Sequence, residues 1–345
     1  MKQEQTSVWT GSFIKVLASN FFLFAALFFV IPSLPEWIAM HTSLNGINGH
    51  LMLLGIPLGM ILIGPFNAFL FQRFRRKHVG IWAIFIMSLL PTMYFYATEI
   101  WQYICLVIIH GMAFSSALNL DITVHIDITY SDHRKTANAL LIKTAMIAQA
   151  VGFLVGDLVH DRLSDAGSSQ TFFNVATALS IIPLLFILAV KVPFRAPIEM
   201  KRCTLDRFWL PSAFVLTANL MLFAFSAGLW IMNRHIEKEQ VDFILAGKIV
   251  IILCIVIAGV PKLIQMYMGL ATHCQRCTAN STLFLTWIFG LIAGAITAVY
   301  LASIDLIVPV QAIAMGCLVA SIVLFLTVVK KYYKRHQRKE KKYDI

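Results

Sequence analysis

Charge is what this sequence has least of: only 13% of its 345 residues are Asp, Glu, Lys or Arg, against roughly a quarter in a soluble domain. With 59% hydrophobic residues, the chain has more apolar surface than a water-soluble core can take, and an ordinary soluble enzyme or binding module is excluded. Acidic residues are the scarcer sign, 17 against 28 basic ones, which leaves a net charge of +11. Cysteine is sparse too. Of the six, Cys105, Cys254 and Cys317 fall in apolar stretches and Cys203, Cys274 and Cys277 on the side read below as reducing, so they form no disulfide framework. Cys274 and Cys277 make a CxxC beside His273, but no second pair closes a tetrahedral site, and neither metal nor cofactor is expected. No small-residue cleavage site follows the first apolar stretch, which reads as a permanent helix and not a removed signal.

What is there is long apolar blocks. They run over Phe13–Ile31, Leu51–Phe71, Val79–Thr98, Trp101–Leu120, Ala137–Val159, Phe172–Val190, Trp209–Met232, Phe243–Leu270, Thr282–Ala302 and Leu306–Val329, ten in all. Roughly 20 helical residues cross a hydrocarbon layer of about 30 Å. Backbone groups in lipid must be satisfied within the segment, and the blocks lack the alternation of a barrel strand, so the expected class is an all-α polytopic membrane protein. Placing the amino terminus inside puts 22 of the 28 Lys and Arg on the inside, Lys15 at the inner end of the first block among them, with only Arg162, Arg234 and Lys238 outside. That asymmetry is the positive-inside signature, and it puts both termini in the cytoplasm. It also accounts for the tail KKYYKRHQRKEKK as a topology anchor, with a lipid contact as the other reading and no nucleic-acid partner expected.

Six blocks precede KVPFRAPIEMKRCTLDRF and four follow it. The reading is a six-helix bundle over 1–191, a basic linker over 192–208, a shorter bundle over 209–329 and a basic tail over 330–345. Two bundles that rock about a central cavity are the outline of a secondary transporter. Local motifs add to it. GPFNAFLFQRFRRKHVG, VHIDITYSDHRKTANALL and HCQRCTANSTLFLTWIFGLIAG, in that order and on one side of the membrane, resemble the two cytoplasmic turns of the first half and the entry to helix eleven in the major facilitator superfamily. The resemblance rests on Arg73, Arg76 and Lys77 in the first, on Asp127, Ser131 and Arg134 in the second, and on Arg276, Thr278, Ala279, Asn280 and Trp287 in the third. It implies a two-bundle fold in the inner membrane of a bacterium, alternating access and, here, 6 + 4 helices in place of twelve. Departures accompany it: Gln72 stands at an acidic position, Arg75 and Phe153 at a glycine and a proline position, and Val107 where helix four carries an arginine.

Mid-span polar groups are costly in hydrocarbon and face a cavity or a neighbouring helix. By position, Asn20, His110, Gln149 and Asn219 are the cavity candidates, with His110 suited to exchange a proton. Interhelical hydrogen bonding is the alternative for all four. At the basic turn, Gln72, Arg73, Arg76, Lys77, Asp127 and Arg134 are gate candidates, Asp127 pairing with Arg73, Arg76 or Arg134. Ala148, Gly152 and Gly156, and Gly290 with Gly294, repeat at four-residue spacing and read as helix-packing surfaces. His125, Asp127 and His133 lie in one loop but match no metal signature, so an enzyme is disfavoured. The expected function is proton-coupled movement of a small solute by a monomer in the bilayer. The alternative is a non-transporting relative, a scaffold or sensor, because the second half is short.

Overall fold

The structure is a computed structural model and describes residues 7–42, 44, 46–130, 133–165, 168–192, 199, 201–237, 262–263, 265–271, 275–304 and 307–337. Among them there are helices and no strands. Among the described residues nine helices are long and apolar enough to cross a membrane. The block expected over Phe243–Leu270 lies mostly outside the described residues, so the tenth span is not among them. The chain is a multi-pass membrane protein, and it divides into two compact units, Met1–Thr204 and Leu205–Ile345.

The first unit contains α1 (Gly11–Val30), α2 (Leu34–His41), α3 (Gly46–Met52), α4 (Gly55–Arg73), α5 (Arg76–Tyr96), α6 (Ile100–Ile128), α7 (Arg134–Asp165) and α8 (Ser169–Leu188). Side-chain caps set two of the starts. Thr10 accepts from the Phe13 amide at 3.2 Å ahead of α1. Glu99 and Gln102 form a reciprocal capping box ahead of α6, each accepting from the other end's backbone donors. α1 packs on α7, α8 and α6, α4 on α6, and α5 on α8 and α6.

Two features differ from the sequence reading. The stretch after the first block, left unassigned by the apolar blocks, folds into α2 and α3. Pro35 starts α2, and Trp37 is buried with its indole N–H donating to the Tyr94 carbonyl at 3.1 Å. α6 does not end near Leu120 but continues to Ile128, carrying Asp121, His125 and Asp127 on the helix and not in a loop. Asp121 is bonded to Ser19 and Asp127 to Arg76, so neighbouring helices satisfy the polar groups that hydropathy takes for a helix end.

Glycine sets the close approaches. A β-carbon on Gly152 would run into the Ala25 carbonyl of α1, and one on Gly156 into the Phe29 carbonyl. Between α4 and α6 the approach is reciprocal, Gly59 lying on the Ile108 carbonyl and Gly111 on that of Ile56. Lipid supplies no hydrophobic drive to join helices, so backbone contact through small residues is what holds such pairs.

The second unit contains α9 (Phe214–Glu237), α10 (Arg276–Ser303) and α11 (Ile307–Leu324). A π turn, Phe325–Val329, joins α11 to α12 (Lys330–His336) without a break. α9 packs on α10 and α11. Gly290 faces Ala224, whose Cβ would be 2.8 Å from an added β-carbon, and Gly294 faces the Phe225 carbonyl. Ahead of α9 the Leu210 amide donates to Thr282 Oγ1 at 3.0 Å, and Thr278 Oγ1 donates to the Arg207 carbonyl at 2.9 Å. The start of α9 is thereby fixed on α10.

Candidate functional site

α6 is the polar spine of the first unit. Counting from its capped end, His110, Ser115, Ser116, Asp121 and His125 are all buried. The His110 Nδ1 is 3.1 Å from the Tyr94 hydroxyl on α5. Ser116 donates to Asn67 Oδ1 at 2.9 Å, and Asn67 Nδ2 donates to Ser115 Oγ at 3.3 Å, tying α6 to α4. Ser19 on α1 donates to Asp121, its Oγ lying 3.1 and 3.3 Å from the two carboxylate oxygens. One turn further, the His125 ring is 6.2 Å from that of Phe13, on the same side as Asp121. Phe24 meets Phe114 edge-on at 5.0 Å, so α1 and α6 run antiparallel with Ser19 opposite Asp121.

Asp121 is fully buried, and among the described residues no Lys, Arg or His nitrogen lies within ion-pair distance of it. Its recorded partner is a single hydroxyl. Charge is expensive in such a place unless a cation or water reaches it. The Nε2 atoms of His110 and His125 are also buried, with no hydrogen-bond partner among the described residues. Three titratable groups therefore line one helix inside one unit.

The four cavity candidates are buried, and those with a recorded partner use it to bridge helices. Asn20 Nδ2 donates to the Leu141 carbonyl of α7 at 2.9 Å. Asn219 Nδ2 donates to the Ser321 carbonyl and Oγ on α11 at 3.2 and 3.1 Å. Gln149 is buried on α7 one turn before Gly152. Asn20 turns to α7 and His110 to α5, so the structure does not bring these side chains together. A small cleft at the end of the unit away from the basic turn is lined by Ser33, Trp37, His160, Leu163, Ser169, Phe172 and Phe173, and by none of the four.

The gate candidates lie at the basic end. Arg76, at the first turn of α5, donates to Asp127 Oδ2 at 2.7 Å, with side chains 12% and 2% exposed. It also donates to the Phe71 carbonyl and to Gln72 Oε1, at 3.3 and 3.2 Å. Gln72 thus keeps a bond to the arginine without the charge of an acid. The pair joins α5 to α6, two helices of the same unit, and braces that unit's end. Arg134 instead donates to the Thr129 carbonyl at 3.3 Å, and Arg73 is exposed. Lys77 donates to the Leu188 and Val190 carbonyls at 2.8 and 2.7 Å, and Lys15 to that of Ala189 at 3.2 Å. Two ammonium groups therefore close the carboxyl end of α8, where the unpaired carbonyls and the helix dipole favour cations.

Ser19 and Tyr94 are the site residues that position along the spans does not single out, whereas Asp121 stands eleven residues, about three turns, after His110 on one face of α6. A second signal was available. Leu17-x-x-Asn20-x-x-Leu23-Phe24-Ala25 on α1 recurs as Leu216-x-x-Asn219-x-x-Leu222-Phe223-Ala224 on α9. Arg134-x-Thr136-Ala137-Asn138 at the start of α7 recurs as Arg276-x-Thr278-Ala279-Asn280 at the start of α10. In each unit the first of these helices packs on the second, through Ala25 and Gly152 in one and Ala224 and Gly290 in the other. The two units are thus built on one repeated helix pair, as transporter halves are.

Solved structures share the fold. The transporter FucP, a fucose:proton symporter of E. coli, matches in its outward conformation over 96% of this chain and 100% of its own, with a TM-score of 0.57 at 12% identity. The fold is that of the major facilitator superfamily. The nucleoside transporter NupG matches over 96% of this chain and 100% of its own, with a TM-score of 0.54 at 13% identity. The POT family transporter PepTSo does so over 96% and 100%, with a TM-score of 0.56 at 10% identity. No family model matches the chain. No curated protein matches it either. At such identities the likeness is one of major facilitator fold alone.

Proposed function

We propose that this protein is a secondary transporter that moves a small solute by alternating access, coupled to protons. It works as a monomer in the inner membrane of a bacterium with both termini in the cytoplasm. The observation that carries the reading is the match of nearly the whole chain to nearly the whole of several transporters, among them a proton symporter. Coupling is supported by Asp121. Water reaching the α1–α6 seam would let this carboxyl exchange its proton, and closing the seam would trap it, so protonation and helix movement become linked. His110, held by Tyr94, is the second candidate. Asn20, Gln149 and Asn219 are proposed as polar determinants near the solute path, and Arg76 with Asp127 as the brace against which the basic end moves. No catalytic role is assigned, and among the described residues no group of three or more His, Cys, Asp or Glu is placed to hold a metal.

The test is reconstitution into liposomes loaded with a pH-sensitive dye, challenged with panels of sugars, nucleosides and short peptides. One class is expected to drive proton movement in the wild type. Asp121→Asn should keep solute exchange while losing the proton signal. Silence to every panel member, with flux absent in tracer exchange as well, would favour a non-transporting scaffold or sensor. Proton movement that survives in Asp121→Asn would remove that residue from the coupling step.

A further inference from the structure

The last apolar helix does not stop where its apolar residues stop. Val310–His336 is one unbroken span of 27 residues that ends in the sequence KKYYKRH. Two contacts fix which side of these final turns faces the protein. The Tyr332 hydroxyl donates to the Ser212 carbonyl at 3.0 Å, and Tyr333 lies against Gly269, where a β-carbon would strike its hydroxyl. His336 stacks on Tyr332 with ring centroids 4.1 Å apart.

At 3.6 residues per turn these three rings occupy one side, and Lys330, Lys331, Lys334 and Arg335 fall within an arc of about 140° on the other. All four cations are exposed, and residues 330–337 contain no Asp or Glu. The exposed side chains of the apolar part continue the same side. Val319, Ile322, Val323 and Leu326 step at three- and four-residue intervals onto Lys330 and then Lys334. A bare apolar strip therefore runs into a bare cationic one on a single helix.

That sequence of surfaces matches one kind of molecule. A soluble polyanion would meet the cations but leave the strip uncovered, whereas a phospholipid lays its acyl chains on the strip and brings its headgroup to the amino groups. We propose that this face of α11 and α12 binds anionic phospholipid in the leaflet at the basic end, and that the tyrosines hold the face in position for it. Each basic residue near an anionic surface strengthens binding by about fivefold at low salt, and salt screens the effect.

The experiment uses the full chain in detergent with equal amounts of phosphatidylglycerol and phosphatidylcholine, the bound lipids being counted by native mass spectrometry. The wild type should retain phosphatidylglycerol in preference. The variant carrying Lys330→Gln, Lys331→Gln, Lys334→Gln and Arg335→Gln should show no preference, and the variant with the three lysines changed to Arg should keep it. If the fourfold variant does not fold, the single change Lys334→Gln decides, with about fivefold lower preference expected. Equal retention of the two lipids by the wild type, an unchanged preference after neutralisation, or stronger capture of the wild type by heparin than by phosphatidylglycerol micelles would overturn the proposal.

Discussion

Substituting Gly156 with alanine should separate α1 from α7, and the direction of the effect can be worked out beforehand. The new β-carbon would strike the Phe29 carbonyl oxygen and lie 2.8 Å from its carbon and 2.9 Å from Phe29 Cα. These are backbone atoms, so no side chain can rotate away. Reaching an ordinary contact of 3.4 Å from 2.8 Å requires the helices to part by more than half an ångström. A gap of that size forfeits a quarter to a half of the dispersion energy of each touching atom pair. Overpacking of this kind costs about 1–3 kcal/mol. Alanine returns up to about 0.5–1 kcal/mol over glycine within a helix, and less in a micelle, where unfolded spans keep much of their helix. The net expectation is a loss of about 1–2 kcal/mol. Gly316 on α11 is the internal control, because nothing lies within 4 Å of a β-carbon there. Gly316→Ala should be neutral or slightly stabilising. The assay is unfolding in mixed detergent micelles followed by tryptophan fluorescence. Equal effects at the two positions, or a Gly156→Ala protein as stable as the wild type, would show that α1 and α7 do not meet through their backbones.

Other substitutions probe the polar spine and the basic end. Tyr94→Phe leaves His110 without its recorded partner and should lower stability by about 1–3 kcal/mol, while adding His110→Leu should recover most of the loss; a thermal-shift series on the three proteins checks this. Arg76→Gln removes the guanidinium that lies 2.7 Å from Asp127, whose side chain is 2% exposed, and about 2–4 kcal/mol should be lost. Arg76→Lys should fall between, since an ammonium on a flexible stem cannot reproduce the fork that reaches Asp127, Phe71 and Gln72 together; wild-type melting of either variant would argue against the brace. Asn219→Leu should cost about 0.6–1.7 kcal/mol, the range of hydrogen bonds between membrane helices, and Ser321→Ala combined with it should add little, which a double-mutant cycle reads directly.

The helices and their order were legible because lipid demands long apolar runs, and nine of those runs are helices among the described residues. What hydropathy could not see was the partner of a polar residue. α6 runs on through Asp121, His125 and Asp127 because Ser19 and Arg76 come from other helices to meet the two carboxylates, and a window sliding along one segment registers the charge but not the guest. The same blindness left α2 and most of α3 outside the apolar blocks, since the bond from Trp37 to the Tyr94 carbonyl spans distant parts of the chain. The repeated sequence escapes this limit, because it compares the chain with itself. Two copies of Leu-x-x-Asn-x-x-Leu-Phe-Ala, each on a helix that packs against one opened by Arg-x-Thr-Ala-Asn, identify α1 with α9 and α7 with α10. The asparagine of each copy is buried, yet Asn20 binds the α7 backbone while Asn219 binds α11. One duplicated side chain therefore serves two different helix contacts. The acid that faces α1 has no counterpart in what is repeated: Ser19, its partner, corresponds to Ala218. The hydroxyl that meets Asp121 thus belongs to the first copy of the motif alone, and asymmetry between otherwise repeated halves is where a transporter would place the step that only one half performs.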